Sequence, residues 1–249
     1  MDRLFRNFTF GEGEWSALDR DGHVVLPGIL TIETCERLTA ALGKIRGMVE
    51  VDEEYPPRRF AAEFDAYLAS LIGHPQLLEL VRRVLGDSLR FDHCVALNRK
   101  GGDGGTSWHS HEYGDDDLQL GFVRVFFYVN GLAEDDGGLK VVRGSHHYRD
   151  AGISGASDAE LESGWMAGKR HASTGQPLRI EGLSAPAGTV VLMWTHAAHG
   201  VTPCKPESGM RWCVVYAYRN PGEPSAARWL SAGFEKSGIA GTEGLMSLY

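Results

Sequence analysis

No uninterrupted apolar run in the sequence approaches the roughly 20 residues that span a bilayer, so a helical membrane protein is excluded. The opening stretch MDRLFRNFTFGEGEW lacks the apolar core of a secretory signal. Cysteine is scarce. Cys35, Cys94, Cys204 and Cys213 form no CxxC pair, which argues against a zinc ribbon or a thiol redox motif. Without an export signal they read as reduced thiols of a cytoplasmic protein, packed as small hydrophobes. In that setting the sequon Asn7-Phe8-Thr9 reads as chance. Positive charge is also short: 25 basic against 33 acidic residues give a net charge of -8. Such a chain is poorly suited to nucleic acid, whose recognition is dominated by phosphate contacts.

Chemical motifs are missing as well. There is no GxSxG nucleophile elbow. The glycine-rich Gly101–Gly105 lacks the Lys-Ser/Thr of a phosphate loop and reads as a flexible connection. The triplet Asp115, Asp116, Asp117 lacks the spacing of a calcium loop and reads as a solvated turn. Internal repeats and low-complexity linkers are absent. With 43% hydrophobic residues over 249, the chain has material for a sizeable core rather than a disordered ensemble.

What is present falls into three texture zones. The spacing predicts helical support over about 31–86. Thr31 is a candidate N-cap before TCERLTAALGKIRGM. RFAAEFDAYLASLIG reads as one helix ending at Gly73, and PQLLELVRRVLG opens on Pro75 and closes on Gly86. From Leu89 to about residue 220 the segments become short, β-branched and aromatic. LRFDHCVALN, FVRVFFYVNGL, LKVV, LRIEGL, TVVLMW and RWCVVYAYR are strand candidates. Helices followed by strands, without β-α-β alternation, predict a mainly β fold, a sandwich, barrel or jelly roll, in a single domain over 1–249. A Gly/Ser/Ala-rich insert over about 150–176 and a loop region over 221–249 are lid candidates.

The histidines cluster. In Trp108-His109-Ser110-His111-Glu112 an extended strand would aim His109 and His111 to one face and Trp108 and Ser110 to the other. Two imidazoles on one face suit a metal, and equally suit a solvated strand end. His196 and His199 follow the apolar TVVLMW, and at most one of them can share a strand face with a site. His146 and His147, after Gly144-Ser145, read as surface residues. Arg211 heads a strongly apolar strand, where its planar fork needs a carboxylate from the protein or from a ligand.

The order of these parts resembles the phytanoyl-CoA dioxygenase family of iron(II)- and 2-oxoglutarate-dependent oxygenases. WHSHEYG is followed by VRVFFYVNGLAEDDGGLKVVRGSHH, then PAGTVVLMWTHAAHG, then an arginine on the next strand, and the likeness runs from about Asp19 to Pro221. The resemblance implies a double-stranded β-helix, or jelly roll, with helices on one sheet. It implies a metal held by His109, the residue two further on, and His199. Arg211 would bind the far carboxylate of 2-oxoglutarate, with Thr202 or Asn98 adding a hydrogen bond. The cofactors implied are Fe(II), 2-oxoglutarate and O2. The reaction implied is hydroxylation of a small organic substrate, with succinate and carbon dioxide as by-products, and no catalytic residue beyond the metal centre.

Two departures stand out. The family's acidic ligand position holds His111, and Glu112 would face the other way unless a bulge re-aims it. Arg143 replaces the usual proline of the family turn. A filled third position argues against halogenase chemistry, in which halide takes the place of the carboxylate. Three imidazoles, however, accommodate Zn, Cu, Ni and Fe alike. Two alternatives share the architecture: a cupin-like oxygenase that takes an acid from Asp115 or Asp116 and does not use 2-oxoglutarate, and a jelly-roll binding protein without turnover. Arg124, Arg143, Arg58 and Arg59 hint at an anionic substrate. Oligomeric state is not legible.

Overall fold

The structure is a computed structural model and describes residues 2–48, 56–111, 120–150, 153–223 and 228–248. No described helix is long and apolar enough to cross a membrane. Helix α1 (Glu12–Asp21) and the short strand β1 (His23–Leu26) are elements the sequence reading passed over. α1 opens where the Gly11 N–H donates to the Glu14 carboxylate at 2.9 Å, and it stops at Gly22, whose φ of 88° is left-handed. Helix α2 (Ile32–Met48) is capped as expected: Thr31 Oγ1 accepts the Thr34 N–H at 3.1 Å.

The second expected helix is two. α3 (Ala61–Phe64) and α4 (Ala66–Ile72) are split at Asp65, which is extended and whose carboxylate accepts the N–H groups of Tyr67 and Leu68 at 2.9 and 3.2 Å. A side chain that competes for backbone donors starts a new helix rather than continuing the old one. α5 (Pro75–Leu85) runs between its expected punctuation and buries Leu77, Leu78, Leu80, Val81 and Val84.

Nine further strands follow among the described residues: β2 (Arg90–Ala96), β3 (Thr106–His109), β4 (Phe122–Tyr128), β5 (Leu139–Val142), β6 (Ser154–Gly155), β7 (Ile180–Gly182), β8 (Thr189–Trp194), β9 (His199–Val201) and β10 (Cys213–Arg219). They make two antiparallel sheets, a major one ordered β1-β8-β4-β10-β2 and a minor one ordered β6-β3-β9-β5-β7. The architecture is a jelly roll with helices on the major sheet.

The major sheet is buried on both faces, which is why its strands read as continuous apolar runs and not as alternation. Val123, Val125, Phe127, Val214 and Tyr216 pack with Leu38, Leu42, Leu68 and Leu77 of the helices. Each such fully buried side chain contributes about 1.5–3 kcal/mol of transfer free energy. The phenols of Tyr216 and Tyr218 donate to the carbonyls of Leu68 and Ile72 at 2.9 and 2.8 Å, tying α4 to β10. On the other face Phe126, Tyr128, Val191 and Val215 meet Leu139 and Val141 of the minor sheet.

Two expected loops behave differently. Gly101–Gly105 is pinned: the Gly102 N–H donates to the Lys205 carbonyl at 3.1 Å, and the Cys204 N–H to that of Asp103 at 2.8 Å. The described part of the 150–176 insert, with helix α6 (Asp158–Ser163), packs against the minor sheet. Ile153, Leu161 and Met166 cluster around Trp108, whose indole N–H donates to Asp158 at 2.7 Å. A last short helix, α7 (Ala232–Glu235), lies in the C-terminal region.

Candidate metal centre

β3 and β9 are neighbours in the minor sheet, and their register sets His109 directly opposite His199. The strand stops at His109, and Ser110 and His111 continue past its end. The three imidazoles converge. One nitrogen from each of His109, His111 and His199 lies within 4.8 Å of the others. Ring centroids are 4.2 Å apart for His109 and His199, 4.9 Å for His109 and His111, and 5.1 Å for His111 and His199. Trp108 points to the opposite face of the sheet, as a strand requires.

Two rings are oriented by the main chain. His109 Nδ1 lies 2.9 Å from the Ser107 carbonyl, and His199 Nδ1 lies 2.8 Å from that of Ala197. A carbonyl only accepts, so each Nδ1 carries the proton and each Nε2 presents a lone pair. Burial pushes the pKa of His109 down, and those of His111 and His199 well down; the Arg124 cation adds to the shift at all three. Neutral imidazoles with free lone pairs are the form that binds a metal.

The histidines open onto a cavity of about 380 Å³, within the size range of small-molecule sites. Arg124 of β4 lines it, almost fully buried, with its Nε–H donating to Thr195 Oγ1 at 3.2 Å. Arg211 lines it too. Arg211 precedes β10 and is bridged to Arg99 through reciprocal main-chain hydrogen bonds of 2.7 and 3.0 Å. The guanidinium does have a protein partner. It donates to the Gly131 carbonyl at 3.2 Å and to the Asp136 carbonyl at 2.8 Å, and lies 3.3 Å from the Asp136 carboxylate. The Nε–H is buried without a protein acceptor among the described residues.

Asp136 is the residue that sequence reasoning missed. Ser208 Oγ and the Lys205 N–H donate to it at 2.6 and 2.9 Å and hold its carboxyl below the usual range. Its signal was the Gly137-Gly138 that follows. Gly137 has a φ of 68°, and a Cβ there would stand 2.6 Å from Cys204 Sγ. Thr106 and Trp229 also line the cavity and were not foreseen. Trp229 belongs to the C-terminal region, so one residue of that region lines the cavity.

Other candidates lie elsewhere. The Asn98 amide donates to the Leu42 carbonyl at 3.3 Å, towards α2. The Thr202 N–H donates to Gly138 at 3.0 Å, and neither Thr202 nor Asn98 lines the cavity. Arg143 is turned to Asp21 at 2.8 Å and Glu181 at 3.5 Å, away from the cavity. His196 is not part of the histidine cluster. His147 is exposed, but His146 is buried, contrary to a surface reading, because its turn docks on α1 and its Nε2–H reaches the Asp19 carbonyl at 2.8 Å. No described residue of the 150–176 insert lines the cavity. Glu112 and Asp115–Asp117, including the acid that a cupin-like site would need, lie outside the described residues.

A family model described as Phytanoyl-CoA dioxygenase (PhyH) matches residues 18–207. Among solved structures, apo HygX from Streptomyces hygroscopicus is 17% identical with a TM-score of 0.65, covering 93% of this chain and 94% of its own. SnoK, a non-heme alpha ketoglutarate dependent carbocyclase from nogalamycin biosynthesis, is 18% identical with a TM-score of 0.66, covering 87% and 88%. EctD from S. alaskensis, solved with 2-oxoglutarate and 5-hydroxyectoine, is 20% identical with a TM-score of 0.65, covering 87% and 80%. At these identities the likeness is one of fold. No curated protein sequence matches the chain.

Proposed function

The chain belongs to the phytanoyl-CoA dioxygenase family, and from that premise we propose that it is an iron(II)- and 2-oxoglutarate-dependent oxygenase that hydroxylates a small organic substrate at a three-histidine centre. The observation that carries this reading is the convergence of His109, His111 and His199 on a cavity that also holds Arg211. The donor set fits a first-row divalent metal: three neutral imidazoles, His199 buried and His109 and His111 partly so, two with Nδ1 committed to a carbonyl. HygX has been solved with iron, and with nickel and 2-oxoglutarate, which supports the same use of this fold.

Iron(II), when bound, supplies dioxygen activation coupled to oxidative decarboxylation of 2-oxoglutarate to succinate and carbon dioxide. The chain's own contribution is placement and charge. Three imidazoles offset none of a divalent charge, so the dianionic cosubstrate takes that part. Arg211, steadied by Asp136, offers its unused Nε–H to the far carboxylate of 2-oxoglutarate. The buried Arg124 adds positive potential beside the histidines, which favours an anion there. Apolar walls, Phe126, Leu139, Val201 and Val215 among them, keep water away from the reacting atoms.

The test is succinate release. Protein supplied with iron(II), ascorbate, oxygen and 2-oxoglutarate forms succinate, and His109→Ala or His199→Ala abolishes it. Succinate formation that survives both substitutions would contradict the reading.

A further inference from the structure

The arginines of the cavity are not all accounted for by the cosubstrate. Arg99 is spent on structure: it pairs with Asp103 at 2.6 Å and donates to the Gly105 carbonyl at 3.1 Å and to Thr106 Oγ1. Arg211 is committed through Asp136. Arg58 and Arg59 are different. Both line the cavity while remaining exposed, so they stand at its rim. Neither has a carboxylate partner among the described residues, and no described residue lining the cavity is acidic.

Their backbone is fixed. The Ala96 N–H at the end of β2 donates to the Arg58 carbonyl at 2.8 Å, and the Arg59 N–H donates to that of Pro56 at 2.8 Å. The next residue, Phe60, is buried. The Arg59 guanidinium stands over the Trp229 ring, 5.1 Å from its centroid, which restrains that fork at the mouth. Below the rim the wall turns apolar at Val95, Leu97 and Val215. Two adjacent guanidinium forks above an apolar, aromatic wall repel cations and give a neutral molecule nothing to pair with them. They match an oxyanion attached to an apolar body.

We propose that the substrate of this cavity is a small organic oxyanion, a carboxylate or a phosphate monoester, whose anionic group is clasped by Arg58 and Arg59 while its apolar part lies along Trp229. The proposal rests on the oxygenase reading for the identity of the deeper site, and it concerns a different pair of arginines. The oxyanion sits at the rim, so the bond that reacts belongs to the apolar part, which reaches down to the histidines.

The experiment is anaerobic calorimetry on protein loaded with iron(II) and saturating 2-oxoglutarate, titrated with phenylacetate, phenyl phosphate and the neutral isostere phenylacetamide. At least one anion binds, and the amide binds at least roughly tenfold more weakly, the scale of one lost charge-assisted hydrogen bond. Arg58→Gln/Arg59→Gln brings the anion down to the amide's affinity and leaves 2-oxoglutarate affinity and the melting temperature unchanged. The tighter anion assigns carboxylate or phosphate. Equal binding of amide and anions, undiminished anion binding by the double variant, or no binding of either anion in the millimolar range overturns the proposal. The same titrations on metal-free protein, read by tryptophan fluorescence, report on Arg58 and Arg59 even if no iron–cosubstrate complex forms. A failure of the oxygenase reading is thereby separated from a failure of this one.

Discussion

His109 and His199 are cross-strand partners: the β3–β9 register places them opposite each other with ring centroids 4.2 Å apart. The sheet itself therefore sets the distance between the first and the distal histidine. His111 comes from beyond the strand end and completes the cluster.

That asymmetry predicts unequal losses. His109→Ala and His199→Ala each lower iron(II) affinity by more than about 100-fold, since losing a ligand exceeds the effect of losing its outer partner. His111→Ala also weakens binding, but by less. Metal competition with a chromophoric chelator reads all three, and an unchanged affinity in His111→Ala removes that residue from the ligand set.

His111→Asp restores the residue type of the family pattern. A carboxylate neutralises part of the metal charge and is a harder ligand than imidazole. The variant shifts selectivity towards iron(II) and away from copper(II) and zinc(II), measured as the ratio of dissociation constants. No shift in that ratio places His111 outside the coordination sphere.

Arg211→Lys keeps the charge but loses the planar fork and the Nε–H. The 2-oxoglutarate dissociation constant rises about 10- to 100-fold, the worth of one to two charge-assisted hydrogen bonds, while iron(II) affinity stays level. Asp136→Asn acts in the same direction and more weakly, because Asp136 only steadies the arginine, 3.3 Å away. Equal affinity for 2-oxoglutarate in Arg211→Lys and the parent takes the cosubstrate away from Arg211.

The GSHH turn makes stability pH-dependent. Burial lowers the pKa of His146 to about 3, with His147 and His171 adding repulsion and Asp21 opposing them. The folded state keeps this ring neutral, whereas the unfolded chain protonates it near pH 6.5. The stabilisation is thus complete above about pH 6.5 and is lost as pH falls towards 3, at about 1.4 kcal/mol per pH unit. His146→Gln reduces proton uptake on unfolding by about one between pH 4.5 and 6, as urea titrations of metal-free protein would show. An unaltered slope contradicts the assignment.

The same turn forbids a side chain at Gly22. Its φ is +88°, and a Cβ would stand 2.6 Å from His146 Nδ1. Gly22→Ala costs about 1–3 kcal/mol from left-handed strain and the displaced ring, seen as a lowered urea midpoint without a change in metal affinity.

Much of this was legible in the sequence because it depends on local rules. The α5 punctuation at Pro75 and Gly86, the Thr31 cap and the apolar runs of the major sheet follow from backbone chemistry and periodicity. The splitting of α3 from α4 was not legible, since it turns on Asp65 choosing backbone donors over solvent. α1 is weakly patterned, and its place is fixed by Gly22 meeting a turn far along the chain. His109 and His111 share a face by strand geometry, but their meeting with His199 depends on a register that no local pattern encodes. Arg211 was recognisable as a cation needing a carboxylate. That Asp136 stands beside it follows only from the docking of the Gly137-Gly138 turn.

The most direct test is an anaerobic titration of metal-free protein with iron(II) and then 2-oxoglutarate, followed by visible absorption. The account predicts a weak charge-transfer band that requires both additions and is absent in His199→Ala. Iron bound without any band on addition of 2-oxoglutarate would contradict it.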